Sequence, residues 1–347
     1  MYEKKERTKA PYQGGKTMKI VFYELEGWEQ VYIQQKLQRH QVLFLQEKLS
    51  EATVHHAATA DAISVFIYSK VTAQLLDQMP ALKIITTRST GFDHIDLAAA
   101  KAKGCAVYNV PSYGENTVAE HAFALLLALL RKIPQAYEQT TRFNFSMEGL
   151  RGSDLKGKTF GVIGTGRIGI NAIKIANGFG MKVLGYDPYP RAGAEKEFSF
   201  TYVDLPTLFK ESDIISLHVP YMPQTHHLIN DEAIQSMKQG VIIINTARGG
   251  VVDTLALIRG LKSGKIGGAG LDVLEGEHEI IEEKEIVTKD YPLETLRNLI
   301  SDHLLLTFPN VIVTPHIAFN THEALQRILD TTIENLTTTT PERNRVA

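Results

Sequence analysis

From Met18 onward, short apolar runs alternate with segments whose apolar residues recur at every third or fourth position. The first kind reads as buried strand, the second as amphipathic helix. In the first third of the chain, strands are predicted at Lys19–Tyr23, Val42–Leu45, Ile63–Tyr68, Lys83–Thr86 and Ala106–Tyr108. Helices are predicted at Gln30–Leu37, Thr72–Met79 and Asp96–Lys103. Strands alternating with helices imply right-handed crossovers and a parallel sheet covered on both faces.

The next stretch, Thr117–Lys132, is apolar on nearly every side and opens with Thr117-x-x-Glu120, the spacing of a capping box. A helix that is apolar all round must be buried all round. The expectation is a helix that joins two domains and packs against a second subunit; burial inside one subunit is the alternative. Residues 137–158 show no clear period and read as a connector.

The connector leads into Thr159–Asp187. An apolar strand (Phe160, Val162, Ile163) runs into Gly164-Thr165-Gly166-Arg167-Ile168-Gly169, the G-x-G-x-x-G spacing. A helical segment, a second strand at Lys182–Tyr186 and the acid Asp187 follow. Gly164 permits the tight turn, Gly166 lets backbone approach a pyrophosphate, and Gly169 allows close packing of helix on sheet. The helix N-terminus offers unpaired N–H groups to phosphates. Asp187 stands 18 residues past Gly169, near the spacing of a carboxylate that binds the adenosine ribose. Glycine-rich turns are common, but this strand, helix and acid around one mark a dinucleotide site. An acid there repels a 2′-phosphate, so NAD is expected over NADP despite the nearby Arg191.

The alternation then resumes, with helices at Leu205–Lys210, Asp231–Lys238 and Thr254–Ser263 and strands at Ile214–Val219, Val241–Asn245, Gly267–Leu271 and Val311–Thr314. A charged, helix-prone insertion occupies residues 276–310, and Thr321–Leu336 forms a last helix. The fold class is α/β with two domains. A doubly wound parallel-sheet dinucleotide-binding (Rossmann) domain takes residues 116–316. A smaller flavodoxin-like substrate domain is discontinuous, built from 18–115 and 317–347. Residues 1–17 read as a flexible extension, and the tail from Thr337 is expected to fray.

Of the 347 residues, 44% are hydrophobic and 22% charged, and the net charge is −2. Nothing in that balance attracts nucleic acid or an anionic membrane broadly. The apolar run Ala122–Leu130 is too short to span a bilayer. A single cysteine, Cys105, excludes an internal disulfide framework and suits a reducing compartment. The polar start lacks the apolar stretch of a signal peptide, so a cytoplasmic location is expected. Neighbouring His55-His56 and His226-His227 point apart on any regular element and lack HExxH or CxxC company, so no metal is expected.

Seven stretches together resemble the D-isomer-specific 2-hydroxyacid dehydrogenase family. They are the nucleotide motif, Gly91-Phe92-Asp93-His94-Ile95-Asp96, Val110-Pro111-Ser112-Tyr113, Val118-Ala119-Glu120, Asn245-Thr246-Ala247-Arg248-Gly249, Gly270-Leu271-Asp272-Val273 and Thr314-Pro315-His316. The resemblance covers nearly everything from Met18 to Leu336. Ser112-Tyr113 and Thr307-Phe308-Pro309-Asn310 are most similar to its D-lactate dehydrogenase group. The resemblance implies hydride exchange between NAD(H) and C2 of a small 2-keto or D-2-hydroxy acid, with pyruvate and D-lactate foremost. It implies that Arg248 binds the substrate carboxylate and polarises the carbonyl, that His316 is the proton donor, and that Glu277 hydrogen-bonds that histidine. Thr90, Gly91 and Tyr113 are implied in substrate binding. Asp272 resembles a carboxylate placed near the nicotinamide, Thr246 and Ala247 line the cofactor beside Arg248, and His218-Val219-Pro220 with Thr225 look like the adenine-side wall.

The chemistry needs such residues. Hydride addition to a keto group leaves negative charge on oxygen, so a donor must supply a proton there. Histidine, with an ordinary pKa of about 6.5, suits that task, and a neighbouring carboxylate favours its protonated form. A guanidinium fork matches a planar carboxylate in two-point geometry that lysine lacks. Each assignment also has a plainer reading. Arg248 could be a solvated residue, His316 a packed one, Tyr113 a filler, and His218-Val219-Pro220 a simple strand-to-turn exit. Glu277 sits in a charged run where Glu275 is its rival; the spacing from Asp272 favours Glu277. A glyoxylate or hydroxypyruvate reductase would use the same residues. So would an NAD(H)-sensing, corepressor-like binding protein, although the chain carries no disordered partner-binding tail.

Overall fold

Ile, Val and Phe at alternating positions build the first sheet, because side chains two apart along a strand share a face. Its strands are β1 (Lys19–Phe22), β2 (Gln41–Phe44), β3 (Ala62–Val65), β4 (Ile84–Thr87) and β5 (Ala106–Tyr108). The computed structural model describes residues 17–275, 293–337 and 344–347. All five strands run parallel in the order β2-β1-β3-β4-β5, the flavodoxin-like arrangement. Val21 and Tyr23 face one core with Ile63, Val65 and Ile85. Ile20 and Phe22 face the other, against Ile33 of α1 (Gly27–Lys36). The helices α2 (Ala73–Asp77) and α3 (Leu97–Ala102) are capped by the side chains of Thr72 and Asp96, which accept from Leu75 and Ala99 amides.

The last helix, here α12 (His322–Thr337), belongs to this unit: its Leu329 and Leu336 join Ile20, Phe22 and Leu37 in the core. The expected fraying of the tail is corrected at its last four residues. Val346 donates to the Val107 carbonyl at 2.9 Å, the Val107 amide to Ala347 at 2.9 Å, and Asn344 Nδ2 to Asn335 Oδ1 at 2.7 Å. The edge of β5 offers unpaired backbone groups, and this short segment satisfies them.

The second unit carries β6 (Thr159–Ile163), β7 (Lys182–Tyr186), β8 (Thr201–Tyr202), β9 (Ile214–Leu217), β10 (Val241–Asn245), β11 (Ile266–Leu271) and β12 (Val311–Val313). Their order is β12-β11-β10-β9-β6-β7-β8, all parallel. The chain therefore winds outward in both directions from the β6/β9 pair, which makes that pair the topological switch point of a Rossmann sheet. The two compact units are Met1–Tyr113 with Thr321–Ala347, and Gly114–Asn320.

The apolar helix α4 (Glu115–Leu130) is not buried all round within its own unit: one side is covered, while Ala124 is exposed and Leu127, Ala128 and Leu130 are half-buried. Leu125, Leu126 and Leu129 pack with Ile242, Ile244 and Phe160 and with Ala172 and Ile173 of α6 (Arg167–Gly178). Glycines in β11 let it close: a β-carbon at Gly268 would lie 3.0 Å from Leu129, and one at Gly270 3.0 Å from Leu125. The capping-box reading also fails, since the helix starts at Glu115 behind Gly114 and Thr117 is buried inside it. The supposed connector holds a further helix, α5 (Ile133–Thr141), with proline in its first turn. The sequence reading also passed over α7 (Ala194–Phe198) and β8. The helices α8 (Leu205–Glu211), α9 (Asp231–Ser236), α10 (Thr254–Lys262) and α11 (Leu293–Leu306) complete the unit among the described residues.

Candidate active site

The carboxyl ends of the β6–β12 strands lie level: Ile163 pairs with Leu217 and Tyr186, and Asn245 pairs with Leu217 and Leu271, which pairs with Val313. Every chemistry-bearing residue expected in this unit follows one of these ends, apart from Glu277. That residue lies outside the described residues.

At β6 the three motif glycines do three different things. Gly164 takes φ +93°, and a β-carbon there would come within 2.4 Å of the His218 carbonyl. Gly169 has the Gly164 carbonyl 2.0 Å from where a β-carbon would stand, so α6 presses directly on the turn. Gly166 has open space there, room into which a diphosphate fits. The first N–H groups of α6, from Arg167, Ile168 and Gly169, lack intrahelical acceptors, the arrangement that receives an anion at a helix start. Arg167 itself lies 3.5 Å from Glu115 and is largely exposed. Asp187, just past β7, holds the turn: its carboxylate accepts the Thr165 amide at 2.8 Å and the Tyr189 amide at 2.9 Å.

Past β9, the half-buried His218 has Nε2 2.9 Å from Ser216 Oγ. Desolvation pulls its pKa down to about 4, so the ring is neutral at pH 7. Val219 is buried, Pro220 is exposed, and Thr225 Oγ1 ties the turn by donating to the Pro220 carbonyl at 2.7 Å. Past β10, Asn245 braces the Arg248 turn from both sides: Oδ1 accepts the Ala247 amide and Nδ2 donates to the Arg248 carbonyl, each at 3.0 Å. The half-buried guanidinium donates to the Ala247 carbonyl at 2.7 Å. Thr246 is nearly buried and its hydroxyl has no partner among the described residues. An orphaned buried hydroxyl at the end of a strand fits a polar ligand such as a dinucleotide. The following Gly249 is wedged against the chain, with Leu274 carbonyl oxygen 2.0 Å from a would-be β-carbon.

Asp272, at the end of β11, is not presented to an open crevice. Its side chain is fully buried. One oxygen accepts the Ile317 amide at 2.9 Å and Thr314 Oγ1 at 2.5 Å, and the other accepts the Ala318 amide at 2.8 Å. Burial pushes its pKa up, but the hydrogen bonds from His121, Thr314, Ala318 and Ile317 outweigh it and hold the group below the usual carboxylate range. His316 follows β12 in the left-handed region at φ +53°, with its amide donating to the Asp272 carbonyl at 2.9 Å. Glu275 is committed elsewhere: Oε1 sits 2.6 Å from His227 Nε2.

In the first unit, Thr90 and Gly91 form the loop past β4. Thr90 Oγ1 donates to the Val110 carbonyl at 2.9 Å, and Ser89 Oγ donates to that of Gly91 at 2.6 Å. The buried Arg88 anchors this loop by donating to Ser64 Oγ and to the Tyr23 and Glu24 carbonyls. The Tyr113 carbonyl accepts from Arg327 of α12. Sequence reasoning missed Arg88 and His121; an arginine and a histidine set among apolar residues were the available signals.

The family model for the NAD binding domain of D-isomer specific 2-hydroxyacid dehydrogenases matches residues 123–318. A D-lactate dehydrogenase of Escherichia coli (strain K12) is 41% identical over 326 residues, 92% of this chain and 96% of that protein. An aromatic 2-oxoacid reductase of Clostridium sporogenes (strain ATCC 15579) is 40% identical over 302 residues, 86% of this chain and 88% of that one. The crystal structure of a D-lactate dehydrogenase from Aquifex aeolicus, complexed with NAD and lactic acid, superposes with a TM-score of 0.83 at 39% identity, covering 94% of this chain and 98% of that one. With a Rossmann sheet, a dinucleotide loop and these relatives, the chain belongs to the D-isomer-specific 2-hydroxyacid dehydrogenases, NAD-dependent oxidoreductases.

Proposed function

We propose that the protein reduces pyruvate to D-lactate, a small substrate pair that its chemistry serves. The carrying observation is the braced Arg248 turn and the strained His316 loop on the same carboxyl edge as the dinucleotide motif. Bound NADH supplies the hydride that reaches C2. The Arg248 fork holds the carboxylate of the keto acid and draws electron density from the keto oxygen. The imidazolium of His316 then hands its proton to that oxygen, and Glu277 stabilises the charged ring; in oxidation the neutral ring takes the proton back. Asp187 reads the ribose, with His218, Val219, Pro220 and Thr225 beside the adenine. Thr246 and Ala247 would line the nicotinamide side, and Thr90, Gly91 and Tyr113 are further candidates for substrate binding.

The similarity to both a D-lactate dehydrogenase and an aromatic 2-oxoacid reductase makes side-chain size of the keto acid the open variable. A panel of pyruvate, glyoxylate, hydroxypyruvate and phenylpyruvate with NADH, followed by loss of reduced-nicotinamide absorbance, tests the reading. Pyruvate should give the highest kcat/KM. A preference for glyoxylate or hydroxypyruvate would replace it, and NADH binding without turnover would favour the corepressor-like alternative.

The homodimer reading now rests on α5 and the segment behind it. Ile133, Tyr137, Phe143, Phe145 and Met147 are all exposed, with Phe143 at 89% and Met147 at 87%. A surface run this apolar marks an interaction site. No helix among the described residues is long and apolar enough to cross a membrane. The cytoplasmic reading draws on Cys105, a single, buried, free thiol.

A further inference from the structure

One histidine outside the residues assigned to substrate and cofactor is bonded into the loop that carries His316. His121 projects from the apolar helix α4, with 19% of its side chain exposed. Its Nε2 lies 3.0 Å from Thr314 Oγ1 and 3.3 Å from Asp272 Oδ1. Thr314 Oγ1 in turn donates to the same Asp272 oxygen at 2.5 Å. Because the threonine proton is directed at the carboxylate, its oxygen must accept from the ring, which assigns a hydrogen to Nε2 of His121. The result is a three-member chain: ring N–H, hydroxyl, carboxylate.

That carboxylate is what shapes the His316 loop. It takes the amides of Ile317 and Ala318, and the Asp272 carbonyl takes the amide of His316 itself. A non-glycine residue at φ +53° persists only where its surroundings over-determine it, and here the bonds on either side of His316 converge on Asp272. A buried carboxylate keeps a fixed orientation only if its remaining lone pairs are engaged. His121 and Thr314 engage them. A ring with a polar edge is also costly to bury unless its nitrogen finds such a partner.

We propose that His121 is a positioning residue for the reaction: through Thr314 and Asp272 it fixes the backbone that aims His316. The proposal rests on His316 being the proton donor. The test compares His121→Leu, His121→Gln, Thr314→Val and His316→Asn in the full-length protein, using NADH and the best keto acid of the panel. His121→Leu should lower kcat by about 10-fold or more while the NADH dissociation constant stays within about 3-fold. The high-pH limb of kcat, which reports the protonated donor in reduction, should move by about half a unit. Thr314→Val should do the same, and His121→Gln, which restores an N–H donor, should recover most of the loss.

If His121→Leu and Thr314→Val keep the parental kcat per folded molecule and an unmoved pH limb, His121 only stabilises the fold and the proposal is overturned. Should His121→Leu not fold, Thr314→Val and His121→Gln decide it by the same two readouts. Undiminished turnover in His316→Asn would instead sink the donor assignment, and the proposal with it, in a way the other variants cannot imitate.

Discussion

Glu275 and His227 form a carboxylate–imidazole pair with Oε1 2.6 Å from Nε2, and the same carboxylate accepts Thr254 Oγ1 at 3.1 Å. The pair joins the turn after β9 to the start of α10 and anchors the chain two residues before Glu277. Glu275→Gln should therefore cost about 1 kcal/mol of stability, the worth of a half-buried hydrogen-bonded pair, with kcat within about 3-fold of the parent. Glu277→Gln should show the reverse: an unchanged melting temperature and a kcat lowered about 100-fold through its effect on the donor histidine. Thermal melts and steady-state rates on the two variants check this. A large rate loss in the first and none in the second would exchange their roles.

Replacing Arg248 by lysine keeps the charge and removes the fork. Loss of one charge-assisted hydrogen bond of ~1.5–3 kcal/mol corresponds to roughly 10- to 100-fold in KM for the keto acid. Binding of NADH, measured by fluorescence titration, should barely change. Equal loss of both affinities would place Arg248 on the cofactor instead.

The Asp187 carboxylate braces the Thr165 turn, and in the proposed role it also repels a 2′-phosphate. Asp187→Ser should weaken NADH and improve NADPH, narrowing their kcat/KM ratio by about 10-fold or more. Paired initial-rate measurements with the two cofactors decide it. An unaltered ratio would leave Asp187 only its turn-bracing role.

His218 makes stability pH-dependent, with a sign that follows from its lowered pKa. The unfolded chain takes up a proton near pH 6.5 and the folded one only near pH 4, so stability is intact above about 6.5 and is lost as pH falls between those values. At pH 5 the loss amounts to about 2 kcal/mol. Denaturant melts at pH 7.5 and 5 should show that difference shrinking in His218→Gln, and an identical pH dependence would refute it.

The exposed run behind α5 predicts a concentration-dependent dimer in light scattering. Phe145→Asp should shift it to monomer, because a charge buried in an apolar contact costs more than the contact yields. A dimer unaffected by this change would move the interface elsewhere.

The alternation of apolar runs and amphipathic segments was enough to place most of the larger strands and helices, because parallel strands buried on both faces leave short continuous apolar runs. It did not reveal α5 or α7, whose residues are too exposed for an apolar period; no residue of α5 is buried. The start of α4 was misplaced because Thr117 and Glu120 have capping spacing, and tertiary burial of Thr117 overrides that local pattern. The tail Asn344–Ala347 gave no signal at all, since its pairing partner, Val107, lies far away along the chain. At the candidate site, the places of Arg248 and His316 just past the ends of β10 and β12 were legible from their motifs. His121 was not, because only the fold brings residues 121, 272 and 314 together.

The wedge of Gly249 against Leu274 has a practical meaning for altering the substrate range. Any larger residue at 249 must drive the backbone of Leu274 away, which displaces at once the turn holding Arg248 and the approach to Glu277. Combinatorial libraries aimed at the substrate range should therefore leave this glycine untouched.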